Sequence, residues 1–345
     1  MHELHRLRLG PLRVTAAQLS LLAGEESPDV APWTPLAPPL RNTEFLALPV
    51  RSVLNPPAAT GMNFWSLNPY VGCEFGCAYC YARDTHRYAV ERAHRVPSGV
   101  PAWLDFERRI LVKADAAAVL ARTLNPQRLG GKSIVIGTAT DPYQPAERRF
   151  RITRALLERL LPHRGLSVGI ITKSPLVTRD LDLLTRLAAQ NDVSVNVSLT
   201  SLDAKLLRRI ESRSPVPRAR LRALRRLTDA GIHAGLLVAP ILPCLTDGTA
   251  QLSALLLAAK EAGARYVVGA ALRLNPAARR RFLPFLAREF PELAERYERH
   301  YARRASAGWK YHDAVMTRLQ VLQRRHGFPL SEGMRRRRQI DGTAA

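Results

Sequence analysis

Three cysteines fall within eight residues of one another. Cys73, Cys77 and Cys80 stand in GCEFGCAYCYAR with the spacing C-x3-C-x2-C, and the whole chain of 345 residues has only four cysteines. Thiolates packed this closely bind metal. One reading is a structural zinc site, which needs four ligands. His86 could complete that set, although the spacing follows no usual zinc pattern. The other reading is a [4Fe–4S] cluster. A cluster that only transfers electrons takes four cysteines, so three would leave one iron without a protein ligand. An open coordination position is what catalysis at a metal requires. A disulfide is disfavoured by the odd count and by a reducing compartment. Gly72 and Gly76 let the loop fold back and aim backbone N–H groups at the sulfurs.

The charge balance is the second chemical signal. Lys and Arg total 52 against 29 Asp and Glu, a formal net charge of +23, and only six of the cations are lysine. Genome composition can favour arginine over lysine, but it does not account for the missing acids. Such an excess points to a polyanionic partner, DNA or RNA. No apolar run approaches the roughly 18 residues of a membrane helix. The N-terminus, MHELHRLRLGPLRV, lacks the apolar stretch of a secretory signal. A soluble, cytoplasmic chain with no membrane partner is expected.

The elements that would position the cysteines follow a regular grammar. Residues 1–61 are proline-rich and poor in pattern, and read as an irregular, partly disordered strap. From residue 62 to 275, short β-branched runs alternate with helical stretches. SLNPYVGC, KSIVIGTATD, LSVGIITKS, VSVNVSLTS, IHAGLLVAPILP and ARYVVGAALRL read as six strands. That alternation implies βαβ units and a parallel sheet. With right-handed crossovers, six units curl into an α/β partial (β/α)6 barrel, TIM-like, whose chemistry sits at the C-terminal strand ends. Residues 276–328 read as a helical, arginine-rich extension, and 329–345 as a flexible basic tail in which Arg335–Arg338 could contact phosphate.

The cysteine loop, with Tyr79 just before the last cysteine, resembles the signature of the radical S-adenosylmethionine (radical SAM) enzymes. LNPYVGCEFGCAYCYAR, GTATDPYQPAE, ITKSPLVTRDLDLL, VSLTSLD and VAPILP resemble the spore photoproduct lyase-like (DNA repair photolyase-like) branch over about residues 62–275. The resemblance implies a [4Fe–4S] cluster on Cys73, Cys77 and Cys80 whose open iron binds SAM. It implies homolytic SAM cleavage to a 5′-deoxyadenosyl radical that abstracts hydrogen from substrate. An electron donor such as flavodoxin or ferredoxin is implied as a partner.

Site residues follow by position on the strands. Tyr79, Thr138, Thr140 and Asp141 are expected at the SAM amino group and the cluster, although Thr140 and Asp141 would also cap a turn before Pro142. Tyr143, Gln144 and Glu147 could face substrate. Lys173, closing an apolar strand, emerges at the mouth, where it could pair with the SAM carboxylate or with a rim acid. Asn196, Ser198 and Thr200 share one strand face; Asn196 and Ser198 are expected at the ribose. Glu211 and Arg213 stand in RRIESRSP, where relatives read Glu-Pro-Arg and this chain has Ser212. Arg220 is a further candidate for SAM or substrate. Cys244, just past the fifth strand, is either a hydrogen-atom donor or a small buried hydrophobe.

The branch carries a hydrogen-donor cysteine before the second strand's Thr-Ser-Asp. This chain reads GTATD there, which argues against spore photoproduct cleavage unless Cys244 or a tyrosine stands in. The expected function is a radical SAM enzyme acting on nucleic acid, lyase-like or modifying. The alternatives are a radical SAM enzyme on a small molecule or protein, and a non-catalytic basic metal-binding module.

Overall fold

In the computed structural model, the described residues are 35–40 as backbone, then 43–85 and 105–330. His86 and Arg335–Arg338 lie outside them, as does most of the expected strap. Eleven described strands form two sheets. The larger runs β11 (Val267–Ala271), β10 (His233–Ile241), β9 (Asp192–Ser198), β8 (Ser167–Thr172), β7 (Ile134–Ile136), β4 (Trp65–Leu67) and β3 (Leu54–Asn55). From β4 to β11 every neighbouring pair is parallel, and β3 adds an antiparallel edge to β4. These six parallel strands are the six expected from the sequence, in sequence order, with helices in the crossovers. The α/β partial barrel is therefore present.

The alternation along β9 shows how the barrel is sided. Val193, Val195 and Val197 are buried, and point outward by their register. Ser194, Asn196 and Ser198 take the opposite, inner face, since successive strand side chains alternate. The outward valines meet helices such as Leu181–Ala188, whose Leu183, Leu184 and Leu187 are buried at helical spacing. The crossover after β7 holds two helices, Ala146–Phe150 and Ile152–Leu160. Arg151 separates them in the left-handed region at φ 53°.

The N-terminal segment is more regular than its prolines predict. β1 (Pro35–Leu40) and β2 (Thr43–Ala47) pair antiparallel, and β2 pairs parallel with β6 (Arg109–Val112). β6 pairs antiparallel with β5 (Tyr70–Val71). This second sheet, in the order β1-β2-β6-β5, stands beside the cysteine loop, which follows directly from β5.

The C-terminal extension is helical as expected: Pro276–Glu289, Pro291–Tyr301 and Trp309–Arg325. Its last helix covers the edge strand β11. Buried Gln323 donates Nε2 to the Val267 carbonyl at 2.6 Å, which partners a group that a sheet edge would leave open. A Cβ on Gly269 would collide with Leu319 of the same helix, so close approach of backbone and helix requires glycine there.

Candidate active site

At the C-terminal strand ends lies a cavity of about 390 Å³. Its wall includes Cys73, Cys77 and Cys80 with Tyr79 and Tyr81 from the cysteine loop, and Thr138, Thr140 and Asp141 from the turn after β7. Lys173 follows β8, Ser198 ends β9, and Ala239 and Pro240 lie in β10. Arg273 and Asn275 come from the segment after β11. Nine of the sequence candidates therefore meet in one place.

The loop is built by backbone hydrogen bonds to distant segments. Cys73 N–H donates to the Phe106 carbonyl at 2.9 Å, and Ala78 N–H to the Ile210 carbonyl at 2.9 Å. Gly72 sits at φ 90°, and a Cβ there would stand 2.8 Å from the Arg109 carbonyl oxygen. Gly76 sits at φ 63°, packed against the Glu107 carboxylate and the Arg213 guanidinium. Arg83 is fully buried and donates Nη2 to the Cys77 carbonyl and to Glu107 Oε1, both at 3.0 Å. Glu107 also pairs with Arg213 at 2.7 Å and Arg281 at 3.7 Å. One carboxylate thus gathers three arginines behind the loop.

Burial pushes all three thiols up, Cys77 to about 12 and Cys73 well above its ordinary value. Such thiols stay protonated unless a metal takes the proton's place. Among the described residues, no three His, Cys, Asp or Glu side chains are spaced for a single metal ion. Ligands of one zinc must all lie about 2.0–2.3 Å from one point. Three thiols from one loop that open on one cavity are soft donors of the kind iron–sulfur groups take. The donor set fits the iron–sulfur group.

Beside the thiols lies a buried ionic network. Tyr79 donates its hydroxyl to Glu211 Oε1, and Arg220 pairs through Nη2 with Glu211 Oε2. Arg220 also donates Nη1 to the Ser198 carbonyl at 2.9 Å and Nε to the Pro215 carbonyl at 2.8 Å. Lys173 Nζ donates to Ser198 Oγ at 3.2 Å and lies 4.0 Å from Glu211 Oε1. Burial alone would raise the Glu211 carboxyl, but the charges of Arg220 and Lys173 and the hydrogen bonds from Tyr79 and Arg220 hold it below its ordinary value. Burial acts to lower Lys173, and the Glu211 charge beside it works against burial, so that the net shift is upward. Lys173 is therefore a cation at neutral pH, at the cavity wall.

The threonines and Asp141 shape the turn after β7. Thr138 shares a 2.5 Å hydrogen bond with Ser66 and accepts from Asn68 at 3.1 Å. Thr140 Oγ1 donates to the Gly72 carbonyl at 2.5 Å. Asp141 accepts from Tyr143 N–H at 2.9 Å, Thr172 Oγ1 at 2.7 Å and Lys173 N–H at 2.7 Å. It caps its own turn, as the sequence allowed, and also ties that turn to the end of β8.

Other expectations move. Asn196 points inward but is not on the cavity wall. Its Nδ2 donates to the Ile170 carbonyl at 3.3 Å and its Oδ1 accepts from the Tyr266 hydroxyl at 3.1 Å, one layer deeper in the barrel. Gln144 and Glu147 are fully buried. Gln144 Nε2 donates to the Gly72 carbonyl and Thr140, and Glu147 accepts from Tyr70, Thr153 and Arg179. Both brace the turn rather than face substrate. Tyr143 is buried as well. Arg213 pairs behind the loop with Glu107, away from the cavity wall.

Cys244 is neither beside the cluster cavity nor a buried hydrophobe. It is exposed, at φ 60°, and its Sγ accepts from Arg296 Nη1 at 3.1 Å in a separate cleft with Asp247, Tyr297 and Tyr311. No hydrogen-donor role beside the three thiols follows from that position. Reasoning from sequence missed Arg273 and Asn275. Their signal was present in the alternation of LRLN at the end of the sixth strand.

No helix among the described residues is long and apolar enough to cross a membrane. The radical SAM superfamily profile matches residues 67–256. An uncharacterized protein of Mycobacterium tuberculosis is 35% identical over 288 residues, 83% of this chain and 82% of its own length. An uncharacterized protein of Methanocaldococcus jannaschii is 28% identical over 207 residues, 59% of this chain and 70% of its own length. Among solved structures, spore photoproduct lyase complexed with dinucleoside spore photoproduct superposes with TM-score 0.59 at 15% identity, covering 82% of this chain and 79% of that one. This likeness is one of fold. The profile spans the cysteine loop and the barrel strands as far as β10: the chain belongs to the radical SAM superfamily and is a radical SAM enzyme.

Proposed function

We propose that Cys73, Cys77 and Cys80 hold a [4Fe–4S] cluster, that SAM binds in the adjoining cavity, and that the substrate is a nucleic acid carrying a damaged or modifiable base. The observation that carries this reading is the three-thiol donor set opening onto a cavity walled by strand-end polar groups. When bound and reduced, the cluster supplies the electron that splits SAM into methionine and a 5′-deoxyadenosyl radical able to abstract hydrogen. The chain's own residues bind, orient and shield. Lys173 offers a cation to the SAM carboxylate, and Ser198 holds Lys173 and faces the ribose. Tyr79, Tyr81 and the apolar wall limit water at the reacting atoms.

Two further observations support a nucleic-acid substrate. The net charge of +23 favours a polyanion, and the solved structure of like fold, spore photoproduct lyase, holds a dinucleoside. The test is anaerobic. The protein is reconstituted with iron and sulfide, reduced, and given SAM with and without DNA or RNA, and 5′-deoxyadenosine is measured. Formation that Cys77→Ala abolishes and nucleic acid stimulates supports the reading. A well-formed cluster that never cleaves SAM, or uptake of zinc alone, overturns it.

A further inference from the structure

Two polar side chains on the cavity wall have no side-chain partner among the described residues. Arg273 and Asn275 lie two residues apart, just beyond β11, and both line the cavity. Arg273 is exposed at the rim and has no ion-pair or hydrogen-bond partner for its guanidinium among the described residues. The other cation on the wall, Lys173, is held by Ser198 and Glu211. The one carboxylate on the wall, Asp141, already accepts three hydrogen bonds. Among the described residues, Arg273 is thus the cation of the wall with no side-chain partner.

Asn275 is the more telling of the pair. It precedes the helix Pro276–Glu289 at the position where an asparagine side chain ordinarily caps the first N–H groups. Here it caps nothing. Asp84, from just after the cysteine loop, takes that task, accepting from Ala277 N–H at 3.0 Å and from Ala278 N–H at 3.4 Å. Asn275 is left 7% exposed, lining the cavity, with no partner for its amide among the described residues. A neighbouring aspartate that relieves it of the cap leaves it available to a ligand.

We infer that Arg273 and Asn275 form a substrate subsite, in which the Arg273 guanidinium holds a phosphate of a single nucleic-acid strand and the Asn275 amide hydrogen-bonds the polar edge of the adjacent base. The inference rests on the nucleic-acid reading above. A guanidinium fork matches phosphate oxygens, and an asparagine amide offers donor and acceptor together, as a base edge does. Arg273 stands at the rim, where a strand still in solvent can pass. Asn275 stands inside, toward the thiols.

The test uses the reconstituted full chain, SAM, and a short fluorescein-labelled single-stranded DNA, with anisotropy read over a salt series. Arg273→Ala is expected to weaken binding about tenfold and to reduce the slope of log K against log salt by about 0.7, the value for one lost phosphate contact on a single strand. Arg273→Lys should restore the slope. Asn275→Ala should weaken binding about fivefold with the slope unchanged. It should also leave the melting temperature unchanged, because Asp84 carries the cap. SAM affinity, by equilibrium dialysis, should be the same in all variants. If Arg273→Ala binds DNA with the parent's affinity and slope, the subsite is overturned while the nucleic-acid reading stands. A loss of SAM affinity with DNA binding intact also overturns it, by assigning Arg273 to SAM. If the parent chain binds neither DNA nor RNA at low salt, the nucleic-acid reading falls and takes the subsite with it.

Discussion

The Tyr79 hydroxyl donates to the buried Glu211 carboxylate, so the residue beside the last cysteine is bonded to the segment beyond β9. Glu211 in turn neutralises Arg220, which is as deeply buried as itself. Removing one partner of such a pair leaves the other charge stranded, at a cost of about 3–5 kcal/mol. Glu211→Gln is therefore expected to lower the unfolding free energy by about that amount in denaturant titration. The linkage has a definite sign. The folded carboxyl lies below its ordinary value of 4.5, so its contribution is fully present above about pH 4.5 and is lost as pH falls through the lower, folded value. Melting curves from pH 7 to pH 3 should show the parent losing this component below pH 4.5 and Glu211→Gln lacking it throughout.

The four thiols should separate by reactivity in the metal-free protein. Cys244 is exposed, whereas Cys73 and Cys77 are buried, with pKa values pushed up by burial, that of Cys77 to about 12. The thiolate is the reactive form. Brief iodoacetamide treatment at pH 8, read by peptide mass spectrometry, should label Cys244 first and Cys77 only slowly. Faster labelling of Cys77 than of Cys244 would contradict the described burial.

Gly76→Ala should cripple the loop without touching a thiol. The φ of 63° disfavours any side chain, and a Cβ would press on the Glu107 carboxylate and the Arg213 guanidinium. The expected outcome is loss of cluster retention, read as the iron-to-protein ratio after reconstitution and desalting. Full iron content in the variant would show that the Glu107 cluster of arginines yields easily.

Asp141→Ala removes three hydrogen bonds at once, from Tyr143, Thr172 and Lys173. Leaving those donors unpaired at a buried site costs about 1–3 kcal/mol. Because the turn after β7 loses its tie to the end of β8, SAM affinity should fall together with stability. Dialysis with labelled SAM and a thermal melt on the same preparation would test both.

Cys244→Ser should leave SAM cleavage at the parent rate, since Cys244 lines a cleft apart from the thiol cavity. A marked drop in 5′-deoxyadenosine, with cluster content unchanged, would return Cys244 to the chemistry.

The barrel and its metal loop were legible because their signals are local. β-branched runs mark the parallel strands, the cysteine spacing marks the ligands, and strand-end polar residues fall at the mouth by the geometry of the fold. The second sheet was not legible. β2 finds its partner β6 only after the whole cysteine loop has intervened, and prolines mask the pattern at β1. Asn196 and Ser198 share a face, as alternation requires, but periodicity cannot say which of the two reaches the cavity and which lies a layer below. Asn275 stands at a position where asparagine ordinarily caps a helix, and an aspartate 193 residues away does that instead. Cys244 shows the same limit: its place past a strand end was evident, and its side of the neighbouring helices was not.

The pairing of Glu44–Ala47 with Arg109–Val112 closes a ring of chain, and all three cysteines lie inside that ring. A ring has an order of assembly. A nascent chain emerging from the ribosome exposes the thiols well before Arg109–Val112 exists to meet β2. Until then the loop is open on every side. Once the ring is shut, the cavity whose wall includes Arg273 is an approach to the thiols among the described residues. A cluster delivered early meets loose thiols on a tether, and one delivered late meets thiols already set in the cavity wall, so the order of chain closure and cluster insertion decides how freely the ligands can move.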